Sequence, residues 1–187
     1  MPTPKRSDAR RNRGAILRVA GEALVTGTTA PPLPEIARRA GVAQATVYRH
    51  FSDRGTLAVA VMREQVAALA EVVEQQAGDP AAFRDLLRCV LTSQAQMRPL
   101  VSLLRELPAR ERRRHASRLI ASLRVPFRRA QAAGLVRPDL EPGDLVLVLA
   151  MLESAVATAT ALDPAGRDDA VARVVATIVD GVCPPAR

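Results

Sequence analysis

The sequence is poor in aromatic, thiol and imidazole groups: its 187 residues include no tryptophan, one tyrosine, three phenylalanines, two cysteines and two histidines. Cys89 and Cys183 stand far apart among aliphatic neighbours, which argues against a secreted disulfide framework and predicts reduced, buried thiols. His50 and His115 have no companion at metal-ligand spacing, no glycine-rich phosphate loop occurs, and no nucleophile stands beside a base. Neither catalysis nor a resident metal or cofactor is expected. No segment approaches the ~20 unbroken apolar residues of a membrane span, Leu145 to Leu152 coming nearest, and the basic N-terminus lacks an apolar stretch of signal-peptide length. A cytoplasmic protein without membrane contact is expected. Lysine occurs once, as Lys5, beside abundant Ala, Pro and Gly, a bias we ascribe to a GC-rich bacterial genome.

What is present suits a soluble globular chain of one domain or two small ones, with 48% hydrophobic and 25% charged residues. The formal charge is +8 and unevenly spread. Residues 1–55 hold ten basic and four acidic residues, a net +6, whereas residues 56–187 hold 17 and 15, a net +2. An asymmetry of this kind points to a polyanion met by the N-terminal part.

Helical periodicity runs through almost the whole chain and no strand pattern appears, so about nine helices in an all-α array are predicted. The first should start near Ser7 as N-cap and present Ile16, Leu17, Ala20 and Leu24 on one face. After "TGTTAPPLP", two short helices follow, burying Leu33, Ile36, Ala37 and Ala40, then Val47 and Phe51, joined through Gly41. A long helix from about Asp53 to Gln76, capped by Ser52, is shared by the basic part and the remainder. Further helices are expected around Phe83 to Gln94, between Pro99 and Pro108, and from Ala109 to Ala133 with a kink at Pro126. Two more run from Leu145 to Leu162 and from Arg167 to Val182. The run "RERRRHASR", Arg110 to Arg118, reads as the wet side of its helix, with Leu119, Leu123 and Phe127 on the dry side.

Two of the four aromatics fall in "TVYRHF", with Arg49 and His50 between them. A helix, a glycine-containing turn and a second helix form the helix-turn-helix layout, whose second helix offers side chains to the major groove. With Val47 and Phe51 turned inward, Gln44, Ala45, Thr46, Tyr48, Arg49 and His50 are left for the outward side. Gln can pair with adenine, a Thr methyl can meet that of thymine, and Tyr, His and Arg can bind phosphate. The basic segment from Lys5 to Arg13 leaves two readings open, an arm reaching a minor groove or an unordered start.

"LPEIARRAGVAQATVYRHFSDRGTL", preceded by "RRNRGAILRVAGEALVTG", resembles the DNA-binding domain of the TetR family of bacterial regulators over roughly residues 8–60. The resemblance implies a homodimer on a palindromic operator in double-stranded DNA. It also implies a C-terminal helical domain binding an unknown small-molecule effector, with release from DNA when the effector binds. By position it places Gln44, Ala45, Thr46 and Arg49 near bases, Tyr48 and His50 on phosphates, and Arg54 on a phosphate where relatives usually carry Lys. The sequence departs from the pattern at Pro32 and Ala43, where a capping Thr or Ser is usual, and at Gly55.

The expected division is residues 1–55 for DNA binding and 56–187 for ligand binding and dimerisation. The last two helices are expected to dimerise as a four-helix bundle through Leu149, Leu152, Val156, Val171, Val174, Val175 and Ile178, a stripe richer in apolar residues than one chain's core needs. Ligand-pocket candidates are Leu87, Val90, Leu104, Phe127 and Met151, an aliphatic lining suited to a small or flexible apolar molecule. Two other readings remain, a regulator that needs no ligand and a helical protein-interaction dimer meeting an acidic partner.

Overall fold

The computed structural model describes residues 4–27, 29–75 and 78–184, with the backbone alone for residues 4–7 and Thr26. Its helices are α1 (Pro4–Thr26), α2 (Leu33–Ala40), α3 (Gln44–His50), α4 (Arg54–Gln75), α5 (Ala82–Gln96), α6 (Arg98–Arg105), α7 (Ala109–Ala132), α8 (Leu145–Leu162) and α9 (Arg167–Val182), with a 3-10 turn at Pro142–Asp144. No strand occurs among the described residues. The helices form two compact units, residues 1–65 with 97–112 and residues 66–96 with 113–187. Compactness thus divides the chain inside α4 and groups α6 with the N-terminal helices.

In the first unit α1 packs on α2, α3 and α6. Ile16, Val19, Ala20 and Leu24 of α1, Leu33, Ile36 and Ala37 of α2, Val47 and Phe51 at α3, and Leu57, Ala58 and Val61 of α4 are buried. Leu17 is only half-buried, and Val19 and Ala23 take the inward positions beside the expected stripe. Helix α1 begins at Pro4, ahead of the expected start at Ser7, because proline suits the first turn, where its missing N–H has no intrahelical partner to lose. Gln76, the expected end of α4, lies outside the described residues.

Ser52 is not the cap of α4. The helix begins at Arg54, so Asp53 stands at the capping position, and its Oδ1 accepts the Thr56 N–H at 2.7 Å. The Ser52 hydroxyl donates to Asp53 Oδ2 at 2.7 Å and steadies the capping carboxylate. Gly55 has a packing reason as well as a propensity cost: a Cβ there would lie 3.1 Å from Leu107 Cδ2 and 3.2 Å from Asp53 Oδ1.

In the second unit α5, α8 and α9 pack on one another. Phe83 and Phe127 meet edge to face with centroids 5.6 Å apart, amid Leu86, Leu87, Leu91, Leu123, Leu152, Val175 and Val179. Helix α7 runs unbroken through Pro126, which cannot donate to the Ser122 carbonyl but ends no helix here. The Gln131 amide donates to the Arg137 and Leu140 carbonyls at 2.9 and 2.8 Å and fastens the loop before α8. Arg84 donates to the Cys183 carbonyl and pairs with Asp180, tying α5 to the end of α9.

Two expectations are corrected here. Cys89 is exposed, since the inward stripe of α5 leaves position 89 on its outer side, whereas Cys183 is buried and burial pushes its thiol up to about 11. The segment Pro142–Leu162 is long and apolar enough to cross a membrane by length and composition, with mean hydropathy 2.0 and 17% of it buried. Counting only unbroken apolar residues stops at Glu153, whereas the helix continues apolar to Leu162.

Asp53 and Gly41 provide direct tests of this local architecture. Gly41 sits at φ 67, so Gly41→Ala should cost roughly 1–2 kcal/mol in urea unfolding through strain alone, no atom lying within 4 Å of the added Cβ. Asp53→Ala should cost ~1 kcal/mol at neutral pH, and Asp53→Asn, which keeps an accepting oxygen but loses the charge, a smaller part of that. The Thr56 N–H and the Ser52 hydroxyl hold the Asp53 carboxyl below its ordinary range. Its charge-linked contribution is therefore complete above about pH 4 and lost as pH falls through the lowered folded value. Acid titration of stability should be shallower in Asp53→Asn than in the wild type.

Candidate nucleic-acid interface

A helix of seven residues is too short to persist alone in water, so α3 exists through its packing. Val47 is 0% exposed and Phe51 1%, which fixes both the position of the helix and its rotation about its own axis. Gly41 ends α2 in the left-handed conformation, and Val42 N–H returns to the Ala37 carbonyl at 3.1 Å, closing the turn that launches α3. The two departures from usual capping are visible: neither Pro32 nor Ala43 makes a side-chain cap. Their carbonyls take over the first turns, Pro32 accepting Glu35 N–H at 3.0 Å and Ala43 accepting Thr46 N–H at 2.8 Å.

With that rotation fixed, Gln44, Ala45, Tyr48 and Arg49 are exposed and Thr46 and His50 half-exposed. Tyr48, at 50% exposure, is the single large aromatic left in solvent. The paired aromatics therefore have different roles: Phe51 is core and Tyr48 is surface. Arg49 lies back along its helix, Nε donating to the Ala45 carbonyl at 3.2 Å and Nη2 to Thr46 Oγ1 at 3.4 Å. Polar, basic and methyl-bearing groups on one short ridge can bind phosphate oxygens and base edges together.

Three supporting contacts surround this ridge. Glu35 accepts Arg38 Nε and Nη2 at 2.8 Å each and Arg39 Nε at 2.7 Å, which ties both arginines to α2 and away from base reading. The Arg13 guanidinium lies 5.0 Å from the centre of the Phe51 ring. Arg54 is exposed and donates from Nη2 to the Ala30 carbonyl at 2.7 Å, which orients it. The Glu35 clamp is visible as i, i+3 and i+4 spacing; the other two contacts join residues far apart in sequence and leave no local trace.

The other candidate sets are dispersed. Leu87, Val90 and Phe127 are buried in the core of the second unit, Leu104 is half-buried in the first unit, and Met151 is 61% exposed. The five do not share one lining, because apolar residues at helical spacing fill the core first. None of them lines the open cleft of about 430 Å³ in the first unit, which is bounded by Arg18, Glu22, Arg39 and the connector at Gly27, Thr29 and Pro31. Of the dimerisation candidates, Leu152, Val156 and Val175 are buried within the single chain, while Leu149, Val171, Val174 and Ile178 are half-buried against the same core. The apolar side chains left outside on α8 are Val146, Leu147, Met151 and Leu162, with Leu147 64% exposed.

Residues 16–61 match the family model described as bacterial regulatory proteins, tetR family. Among solved structures the chain is similar to a TetR transcription regulatory protein from Mycobacterium vanbaalenii, with 29% identity, 96% of this chain and 99% of that one covered, and a TM-score of 0.64. A TetR transcriptional regulator from Streptomyces coelicolor shows 25% identity, coverage of 93% and 99%, and a TM-score of 0.64. The regulator FadR from Bacillus subtilis, solved with stearoyl-CoA, shares the fold at 16% identity, coverage of 91% and 99%, and a TM-score of 0.61. No curated protein matches the chain.

The Glu35 clamp generates a titration prediction. Hydrogen bonds from Arg38 and then Arg39 lower its carboxyl to about 2. Carbon-detected NMR should show Glu35 titrating near that value, and Arg38→Gln should move it upward. What the clamp adds to stability is complete above the ordinary glutamate range and disappears as pH falls toward 2.

Proposed function

We propose that this chain, a DNA-binding transcription regulator of the TetR family, acts as a cytoplasmic homodimeric repressor that a small-molecule effector releases from a palindromic operator. The observation that carries the reading is the α3 ridge of Gln44, Thr46, Tyr48 and Arg49, held outward by the buried Val47 and Phe51. Gln44, Ala45, Thr46 and Arg49 are assigned to base edges. Tyr48, His50 and Arg54 are assigned to phosphates, which set register without reading sequence. DNA binding is assigned to residues 1–55, with effector binding and dimerisation in 56–187.

The exposed face of α8 supports dimerisation. Leu147, Met151, Ser154, Thr158 and Leu162 follow one another at i, i+4, i+7, i+11 and i+15, and all are exposed. Three large apolar side chains of this row, Leu147, Met151 and Leu162, stand in solvent with only small hydroxyl residues between them, and a second copy meeting the row across a two-fold axis buries them. Leu149, Val171, Val174 and Ile178 are half-buried against the core of the same unit and would reach a second copy only through their exposed parts. A palindrome read by such a dimer needs its recognition helices about 34–36 Å apart, one DNA turn.

An effector lowers DNA affinity only by its differential affinity for the two states. That FadR, of the same fold, is solved with stearoyl-CoA supports a flexible apolar effector, in keeping with an aliphatic core in the second unit whose only aromatics are Phe83 and Phe127. A ligand-independent regulator is favoured by one observation: Leu87, Val90 and Phe127 are packed in the core. Denaturation midpoints measured across acyl-chain and metabolite panels separate the two, since a ligand that binds the native state raises the midpoint.

The deciding experiment is selection of genomic fragments by purified protein at ~150 mM salt, where counterion release has weakened non-specific binding. A palindrome should be recovered. Gln44→Ala should relax preference at one base pair by about 1–3 kcal/mol, and Tyr48→Ala should weaken all sequences by a similar factor of about 3 to 10. Recovery of bulk DNA alone would reject sequence-specific regulation. Leu147→Glu combined with Met151→Glu should convert a dimer to a monomer in sedimentation equilibrium and reduce affinity for the palindrome while leaving a single half-site unaffected.

A further inference from the structure

We propose that the arginine ridge of α7 is a second, sequence-independent binding surface for the phosphate backbone of double-stranded DNA. The inference rests on the reading of this chain as a DNA-binding protein. Helix α7 carries eight arginines and one glutamate, a net +7 in 24 residues. The small excess of residues 56–187 conceals a segregation: seventeen arginines and fifteen acids become nine and fourteen once α7 is set aside, a net −5. A face that merely keeps a helix wet has no need of one sign. Like charges spaced one turn apart destabilise a helix, and interleaved glutamates would remove the cost.

The arrangement is a ridge and not a scatter. At 3.6 residues per turn, Arg110, Arg113, Arg114, Arg118 and Arg124 fall within an arc of about 140° and extend over about 21 Å of helix. All five are exposed, and among the described residues no carboxylate pairs with any of them. The other side of the helix is anchored by Leu119, Leu123, Phe127 and Ala130, all buried, so the ridge is presented on a rigid support. Arg112 and Arg128 are engaged elsewhere, with the Arg105 and Leu107 carbonyls and with Glu141 respectively.

The chemistry favours a duplex backbone over other polyanions. Guanidinium forks match phosphate oxygens bidentately, and DNA offers a negative charge every ~1.7 Å along its axis, a density that a row of cations on a straight support can engage at several points. An anionic bilayer is disfavoured because helices that lie on membranes combine their basic face with a large inserting apolar one, and Val125 is the one large apolar side chain exposed on α7. The ridge reads no base, and its contribution is to affinity and to its salt dependence.

The test is fluorescence anisotropy of the full chain with a duplex of about 40 base pairs of scrambled sequence between roughly 50 and 200 mM salt. The variant combines Arg113→Gln, Arg114→Gln and Arg118→Gln. These exposed positions lose only mutual repulsion, so the thermal midpoint should hold or rise. Wild-type protein should show a log–log salt slope steeper than the variant by about 2 to 3, with affinity at least tenfold higher at the lower salt. Gln44→Ala, uncharged at the site, should keep the wild-type slope. An unchanged slope in the triple variant would overturn the ridge while leaving the α3 reading intact; absence of duplex binding by the wild type would overturn both. Loss of poly-glutamate binding with DNA binding unchanged would identify an acidic protein as the partner and likewise overturn the proposal.

Discussion

The recognition unit depends on the burial of Val47 and Phe51. Helix α3 has seven residues and no side-chain cap, so nothing intrinsic to its sequence keeps it folded. Removing two apolar side chains from water, each worth roughly 1.5–3 kcal/mol, supplies what local propensity does not. The same burial determines which residues are left outside. Rotating the helix by one residue, about 100°, would exchange Tyr48 for Val47, and the polar ridge would cease to exist as a surface. Arg13 against Phe51, Asp53 capping α4 and the Arg54 link to Ala30 reinforce that arrangement from α1 and from the start of α4.

Charge in this molecule is organised by element. On α2 Arg38 and Arg39 are both held by Glu35 within one helical turn, whereas on α7 Arg110, Arg113, Arg114, Arg118 and Arg124 pair with no carboxylate among the described residues. Arginines on the two helices therefore differ in what they can offer a polyanion. The distinction matters because an arginine already held by a carboxylate must exchange one ionic partner for another on binding. A free one exchanges only water and counterions.

Helix α8 shows how an apolar sequence divides its surfaces. Leu145, Leu152 and Val156 are buried by α5 and α9, while Leu147, Met151 and Leu162 on the same helix stay in solvent. A helix apolar all round is a buried element wherever it is found. In the single chain only one side is covered. The same property gives this segment the length and composition of a membrane span, and it makes a second protein surface the economical way to remove the exposed row from water.

Much of the fold was legible because helical periodicity, prolines and glycines are local signals. The nine helices of the described residues stood in the amino-acid order, and so did the turn at Gly41, the inward positions of Val47 and Phe51, and by subtraction the outward face of α3. Capping was less legible, since Ser52 and Asp53 are both good caps and only the start of α4 at Arg54 decides between them. What periodicity cannot express is which of two apolar faces finds a partner. It marked Leu87, Val90, Phe127, Leu152 and Val175 as apolar at helical spacing, and tertiary packing alone decided that these are core while Leu147 and Met151 are surface. Spacing along one helix determines which residues share a face, but burial belongs to the space between helices, and that space is set only when residues distant in sequence pack together.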